Sequence, residues 1–296
     1  MLTGIGDDCA VLKLPAGHDV LVTTDFTLEN VHFRRKWHPP EVVGWRCLTR
    51  GLSDIAAMGG EPRAAFLSLA LPRRTPQRWV DGFFRGLLEL ADEFRVPLAG
   101  GDTAQSAGGI QADIVVVGSV PKGKAVLRSG ARPGDGIYVT GELGGAAAAI
   151  VRLRRGRVCP ADYERHFHPT PRIEVGRWLR QRGLASAMID LSDGLSTDLE
   201  HICEESAVGA EIDVEMIPCA RVGRPAREVP LDLALHGGED YELLFTSRGR
   251  IPEKVARVRV TRIGRIRRER GMLLVGDDGR RRRLAPRGWE HFREGS

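Results

Sequence analysis

Cysteine is scarce and badly placed for cross-linking: five residues in 296, at Cys9, Cys47, Cys159, Cys203 and Cys219, odd in number and widely separated. None forms a C-x-x-C pair, so neither a disulfide framework nor a cysteine zinc site is indicated, and a reducing compartment is expected. No apolar run approaches the roughly 20 residues of a membrane helix, and no basic stretch followed by an apolar one opens the chain. The expectation is a cytoplasmic protein without a membrane partner.

Familiar catalytic layouts are missing too. His32 and His236 stand alone, and Ser53 and Ser192 lack a G-x-S-x-G elbow, which leaves hydrolase chemistry poorly supported. GSVPKGKA matches G-x-x-x-x-G-K but has Ala125 where a P-loop needs a hydroxyl, and no helix is expected after it. GIGDDC fails G-x-G-x-x-G at its last position, with no strand ahead of it. The formal charge is +5, its basic excess carried almost entirely by arginine and peaking late, around RIGRIRRERG and GRRRRLAP. Without interleaved aromatics, RRERG and RRRRL within them read as a solvated charged surface, and no nucleic-acid partner is expected.

What is present is a globular composition, 42% hydrophobic over 296 residues, enough for two domains. HDVLVTTD reads as a strand ending at Asp25. Pro39 and Pro40 open a helical pattern, Val42, Trp45, Leu48, Leu52 and Ile55, that stops at Gly59-Gly60. AAFLSLAL reads as a buried strand. Thr75-Pro76 starts a helix carrying Trp79, Phe83, Leu87, Leu90, Ala91 and Phe94 on one side. Strands VPLAG and IQADIVVVGSV follow. Residues 121 to 136 are rich in Gly, Pro and basic residues without an apolar period. The boundary placed there gives domains 1–122 and 123–296.

The second half repeats the alternation: strand IYVTG, an Ala-rich helix from Gly145, a helix opened by Thr170-Pro171 and a strand ending at Asp190. A helix from about Asp193 to Glu205, strands AEIDVEM and YELLFTS, and a hairpin turning at Asp277-Asp278-Gly279 complete it. The fold class expected is α+β, two αβ domains. LSD followed by GGD in the first half and LSD followed by GGED in the second hint at duplicated logic, short of a repeat.

The informative residues are acidic. Asp7 and Asp8 follow glycines, Asp25 ends a strand, and Asp54 lies inside an apolar helical pattern. Asp102 follows Gly-Gly, Asp190 and Asp193 bracket Leu-Ser, and Glu239-Asp240 follow Gly237-Gly238. Each has a plain alternative: Asp193 can cap the next helix, Asp25 can close a turn, Asp54 can be solvated. Together, carboxylates at strand and helix ends without histidine or cysteine companions suit a hard, oxygen-seeking cation. Mg²⁺ characteristically takes one or two carboxylates and completes its shell with water and substrate phosphates. The set therefore reads as a multi-magnesium phosphate site. A two-carboxylate glycosidase would leave the other acidic motifs unexplained.

GIGDDCAVL, TTDFTLENVHF, LSDIAAMGG, LAGGDT, VLRSGARPGD, IDLSDGLSTDL, GGEDYELLF and the terminal GWEHF, in this order, resemble the thiamine-monophosphate kinase family of the aminoimidazole ribonucleotide synthetase-like superfamily. The resemblance implies direct in-line transfer of the ATP γ-phosphoryl group to thiamine monophosphate, giving thiamine diphosphate and ADP in thiamine diphosphate biosynthesis. By motif position it implies magnesium ligation by Asp8, Thr23, Thr24, Asp25, Asp54, Asp102, Asp190 and Asp193, with Asp8, Asp54, Asp190 and Asp193 central to catalysis. It places Gly101, Asp102, Arg128 and Ser192 at ATP, and His32, Glu239 and Trp289 at thiamine phosphate. It further implies a homodimer in which N-terminal domains pair their sheets. On this reading Asp8 holds magnesium while Asp7 supports the turn.

Two departures stand out. Family members carry a helical segment ahead of GIGDD where this chain has three residues before Gly4, which bears on dimer packing. Asn30 occupies a position before HF that is commonly glycine. Sibling ATP-using enzymes, selenophosphate synthetase and a hydrogenase-maturation dehydratase, fit less well: Cys9 lies within the GDD motif, and the chain ends EGS without a terminal cysteine.

Overall fold

The computed structural model describes residues 1–6, 8–156 and 158–289. Asp7 and the EHF of GWEHF lie outside the described residues. The chain divides into two compact units. The first comprises Met1–Ile55, Gly60–Ala125 and Phe167–Ile173; the second comprises Ala56–Gly59, Val126–His166 and Glu174–Ser296.

In the first unit, β1 (His18–Leu28), α1 (Pro40–Ala57), β2 (Glu61–Pro72), α2 (Gln77–Phe94), β3 (Leu98–Ser106) and β4 (Gln111–Pro121) follow in order. The sheet runs β1-β4-β2-β3, with β2 and β3 parallel and the other pairs antiparallel. A parallel pair needs a crossover, which α2 supplies. The apolar period read in α1 is the face it buries: Val42, Trp45, Leu48, Leu52 and Ile55 are all inside. In α2 the same holds for Trp79, Phe83, Leu87, Leu90 and Ala91. The two helices touch backbone to backbone. A Cβ added at Gly44 would meet the Phe83 carbonyl oxygen at 1.9 Å, and one at Gly86 the Glu41 carbonyl oxygen at 1.9 Å.

β1 alternates with the strand period of two. Thr23 is turned toward α1, where Gly51 packs against Thr23 and Val116. Val20, Val22 and Phe26 stand exposed by 51%, 65% and 57% on the opposite face. β1 also runs three residues past Asp25, which therefore lies within the strand and not at its end. Asp102 likewise sits inside β3.

The second unit contains β5 (Gly136–Thr140), α3 (Gly145–Arg155), α4 (Glu164–Phe167), α5 (Ile173–Gln181), β6 (Ala187–Asp190), α6 (Leu195–Glu205) and β7 (Gly209–Asp213). There follow β8 (Arg221–Val222), β9 (Arg227–Glu228), α7 (Leu231–His236), β10 (Leu243–Ser247), β11 (Lys254–Val255), β12 (Val258–Arg267), β13 (Gly271–Val275) and β14 (Arg281–Arg283). Phe167 and Ile173, at the ends of α4 and α5, belong to the first unit. The main sheet runs β14-β13-β7-β12-β5-β10-β6, with β11 against β12; among the described residues β7 and β13 pair parallel and the other pairs antiparallel. Its core gathers Ile137, Val139, Ile189, Leu199, Leu244 and Ile266.

Two sequence expectations need correcting here. AEIDVEM stops being a strand at Asp213, because Val214–Met216 turns into a 3-10 helix. The helix expected from about Asp193 starts at Leu195, with Gly194 at its N-cap, so Asp193 does not cap it. The arginine-rich C-terminal run is solvated as expected, residues 268–271 and 280–283 being exposed, while β12, a strand not read from the sequence, leads into it and buries Val260, Ile263 and Ile266. Part of its charge is paired: Glu211 on β7 meets Arg265 at 2.8 Å and Arg281 at 3.2 Å. Among the described residues no helix is long and apolar enough to cross a membrane.

Candidate active site

In the first unit the strand period decides which acidic and hydroxyl groups meet. Thr23 and Asp25 are two residues apart on β1 and face α1; Arg50 and Asp54 are four apart on α1 and share one helix face. The Thr23 hydroxyl donates to the Asp54 carboxylate. Asp25 lies 3.5 Å from the guanidinium of Arg50, which is nearly buried. Two candidates from distant stretches are thus brought together, with an arginine beside them that the sequence reading missed. Its signal was available, one helical turn before Asp54.

Thr24 falls on the other face of β1 and donates to Asp113 of β4 at 2.7 Å. Asp113 pairs in register with Phe26 on one side and Ser68 on the other, and Ser68 pairs with Asp102. This row of Phe26, Asp113, Ser68 and Asp102 lines a cavity of about 210 Å³. Asp113 was also missed; a lone carboxylate in the apolar run IQADIVVV was the cue. The side chains of Thr23, Asp25 and Asp54 and those of Thr24 and Asp102 therefore divide between two faces of the sheet.

Gly101, just before Asp102, has φ +151°, and a Cβ there would lie 1.9 Å from the Leu67 carbonyl oxygen. Only glycine lets β3 approach β2 so closely. Asp8 is exposed in a loop closed by bridging of Thr3 to Val11, whose amide donates to the Thr3 carbonyl at 2.9 Å. His32 accepts the Leu28 amide proton on Nδ1 at 3.0 Å, so the neutral ring carries its proton on Nε2. Asn30 has φ +69°. Asparagine is among the few non-glycine residues that tolerate this region, so the turn before HF keeps a glycine-like backbone.

In the second unit three segments converge. Asp190 closes β6 and is 4% exposed. The next residues zip to the GGEDYEL loop through their main chains. Glu239 donates its amide to the Ser192 carbonyl at 2.8 Å, Tyr241 to Leu191 at 2.9 Å, and Leu191 to Glu242 at 2.8 Å. Glu239 adopts φ +68°, a costly conformation for a glutamate of the kind that clusters at functional sites. The third segment arrives from the C-terminal side: the Trp289 amide donates to the Asp193 carbonyl at 3.1 Å, while the Trp289 side chain is 42% exposed. Ser192, Asp193, Glu239 and Trp289 are thereby held in one neighbourhood. Arg128 is exposed, its carbonyl accepting from the Ser206 hydroxyl at 3.1 Å.

Asp198 was overlooked, although it lies within the STDL of the motif. It is buried and accepts the amides of Asp193 at 3.2 Å and Gly194 at 3.0 Å. Burial first, then the neighbouring Asp190 and Asp193 carboxylates, push it well above the usual carboxylate range. Asp240 is structural: its two oxygens accept from the amides of Gly144 and Ala146, at 2.6 and 3.1 Å, at the N-terminus of α3.

Among the described residues no three or more His, Cys, Asp or Glu side chains form a ready-made metal cage. The donor groups are carboxylates and hydroxyls, with no thiolate or imidazole among the proposed ligands. That chemistry suits Mg²⁺, which relies on few protein ligands and shares its shell with water and phosphate oxygens.

Comparison with known families matches residues 6–120 to the AIR synthase related protein N-terminal domain and residues 132–278 to the C-terminal domain. A thiamine-monophosphate kinase from Escherichia coli O157:H7 is 39% identical over 303 residues, covering 98% of this chain and 91% of the relative. The crystal structure of thiamine-monophosphate kinase from Stenotrophomonas maltophilia K279a is 36% identical with a TM-score of 0.81, over 94% of this chain and 91% of that one. A structure described as AaThiL complexed with AMPPCP and TMP is 32% identical with a TM-score of 0.81, over 95% of this chain and 89% of that one.

Proposed function

We propose that this chain, which belongs to the AIR synthase related family and within it to the thiamine-monophosphate kinases, transfers the γ-phosphoryl group of ATP to thiamine monophosphate, yielding thiamine diphosphate and ADP. The observation that carries the reading is the near full-length likeness to enzymes of that name, one of them held with AMPPCP and TMP. The residue chemistry is compatible with it. The acceptor is a phosphate monoester whose second pKa near 6 leaves an anionic oxygen at neutral pH, so no general base is required. A candidate site rich in carboxylates and without a histidine dyad fits such a reaction.

Asp8, Thr23, Thr24, Asp25, Asp54, Asp102, Asp190 and Asp193 would hold magnesium, which when bound neutralises charge on the phosphates. The Thr23 hydroxyl, donating to the Asp54 carboxylate, orients it for this role. Gly101, Asp102, Arg128 and Ser192 serve ATP, the Arg128 guanidinium adding positive charge that the transferring group needs. His32, its ring oriented by the Leu28 amide on Nδ1, serves thiamine phosphate. Glu239 presents a carboxylate, and the exposed Trp289 ring an aromatic face, to the cationic thiazolium or its pyrimidine. Transfer is direct and in line. A homodimer pairing the first-unit sheets would cover the exposed Val20, Val22 and Phe26, an apolar row that monomers seldom leave open. The enzyme then works in the cytoplasm, in thiamine diphosphate biosynthesis.

Omission experiments test the reading: ADP release is measured with ATP, magnesium and thiamine monophosphate, leaving out each in turn. Release that requires all three supports it. ADP release indifferent to thiamine monophosphate, or undiminished by EDTA, would overturn it.

A further inference from the structure

The substrate positions Glu239 and Trp289 come from segments far apart in sequence, and one side chain ties those segments together. His236 is the last residue of α7, three positions before Glu239. Its ring is wedged between α6 and the C-terminal strap: Nδ1 lies 2.7 Å from the Ser196 hydroxyl, and Nε2 lies 2.7 Å from an Nη of Arg287, two positions before Trp289. Arginine has donors and no acceptor, so Nε2 must accept. The proton then sits on Nδ1 and is donated to Ser196. The same serine oxygen accepts the Arg287 main-chain amide at 3.3 Å. The strap continues through Gly288, whose amide donates to the Thr197 hydroxyl at 3.0 Å, to Trp289 on the Asp193 carbonyl.

Other charges facing the ring are consistent with this neutral tautomer. Asp232, one turn earlier on α7, lies 3.9 Å from Nε2 and accepts from Arg287 at 2.9 Å. Arg282 and Arg283 of β14 line the cavity of about 350 Å³ beside it. Burial first, and then Arg287, pull His236 below its usual value, opposed by Asp232. Gly288 leaves no slack, because a Cβ there would lie 2.1 Å from the Asp193 carbonyl oxygen.

We infer that Ser196, His236 and Arg287 form a clasp that positions Glu239 and Trp289 for the acceptor, so that His236 and Arg287 are positioning residues specific to thiamine monophosphate and not to ATP. The inference deepens the proposed function and rests on it for the identity of the acceptor. It also explains why an isolated histidine without a catalytic partner sits directly before the GGED loop.

Two measurements test it. In steady-state kinetics, His236→Phe and the exposed Arg287→Met raise KM for thiamine monophosphate about tenfold or more, as loss of a hydrogen bond to a charged group warrants, with KM for ATP unchanged. His236→Gln, which keeps an acceptor for Arg287, restores most of the loss. Equal increases in both KM values, or a fall in kcat alone, would overturn the positioning role. In hydrogen exchange without substrate, the amides of Arg287, Gly288 and Trp289 exchange faster in both variants than in wild type; unchanged exchange would overturn the clasp itself. If wild type makes no thiamine diphosphate, the acceptor assignment fails separately, and exchange still decides whether the clasp exists.

Discussion

The hydroxyl of Thr23 on β1 donates to the carboxylate of Asp54 on α1, joining two groups 31 positions apart in the chain. The contact orients one Asp54 oxygen. Asp54→Asn is expected to lower kcat/KM by roughly a hundredfold or more, as removal of a charged group acting on transferring phosphate does. Thr23→Val should cost roughly tenfold and raise the magnesium concentration needed for half-maximal rate. Magnesium titrations of both purified variants, with circular dichroism to confirm folding, check this.

Trp289 places an exposed ring beside the Glu239 and Ser192 main-chain pairing through its amide on Asp193. Trp289→Ala should raise KM for thiamine monophosphate by roughly tenfold, the worth of a desolvated cation–π contact, and Trp289→Phe by less. KM for ATP should not move. Initial rates with each substrate varied in turn make the measurement.

Much of this was legible in the chain. The apolar period of α1, Val42 to Ile55, and that of α2, Trp79 to Ala91, are the buried faces, because a helix must cover one stripe. The hairpin at Asp277-Asp278-Gly279 joins β13 to β14 as its turn residues demanded. β12 was hidden because its outward positions are arginines whose charge masks the inward Val260, Ile263 and Ile266. Arg50 and Asp113 were hidden for another reason. Each matters through a partner in a different element, Asp25 for the first and Thr24 for the second, and no local pattern carries that information.

Asp240 gives a pH-dependent stability with a definite sign. Burial raises its pKa from 3.8 to about 7, against the Gly144 and Ala146 amides that favour the charged form. The folded state therefore holds the proton more tightly than the unfolded chain. Its contribution to stability is fully present below 3.8 and is lost as pH rises through about 7. The full span is on the order of 4 kcal/mol. Asp240→Asn should flatten this part of the melting-temperature profile between pH 4 and 7, and parallel profiles for variant and wild type would refute the assignment.

Gly44 and Gly86 let α1 and α2 touch through their backbones. Gly44→Ala cannot be absorbed by a rotamer change, since the obstacle is the Phe83 carbonyl, so the helices must separate. Destabilisation of about 2 kcal/mol or more is expected despite the better helix propensity of alanine. Denaturant midpoints compare it with Gly108→Ala, where an added Cβ meets nothing within 4 Å.

The central claim is the transfer itself, and labelled ATP tests it most directly. Protein, magnesium, thiamine monophosphate and ATP labelled at the γ-phosphorus are incubated, and the products are separated by chromatography. The account predicts label in thiamine diphosphate, one per ATP consumed, formed more slowly by roughly a hundredfold or more with Asp54→Asn. Label released only as inorganic phosphate by folded, ATP-binding protein would contradict it.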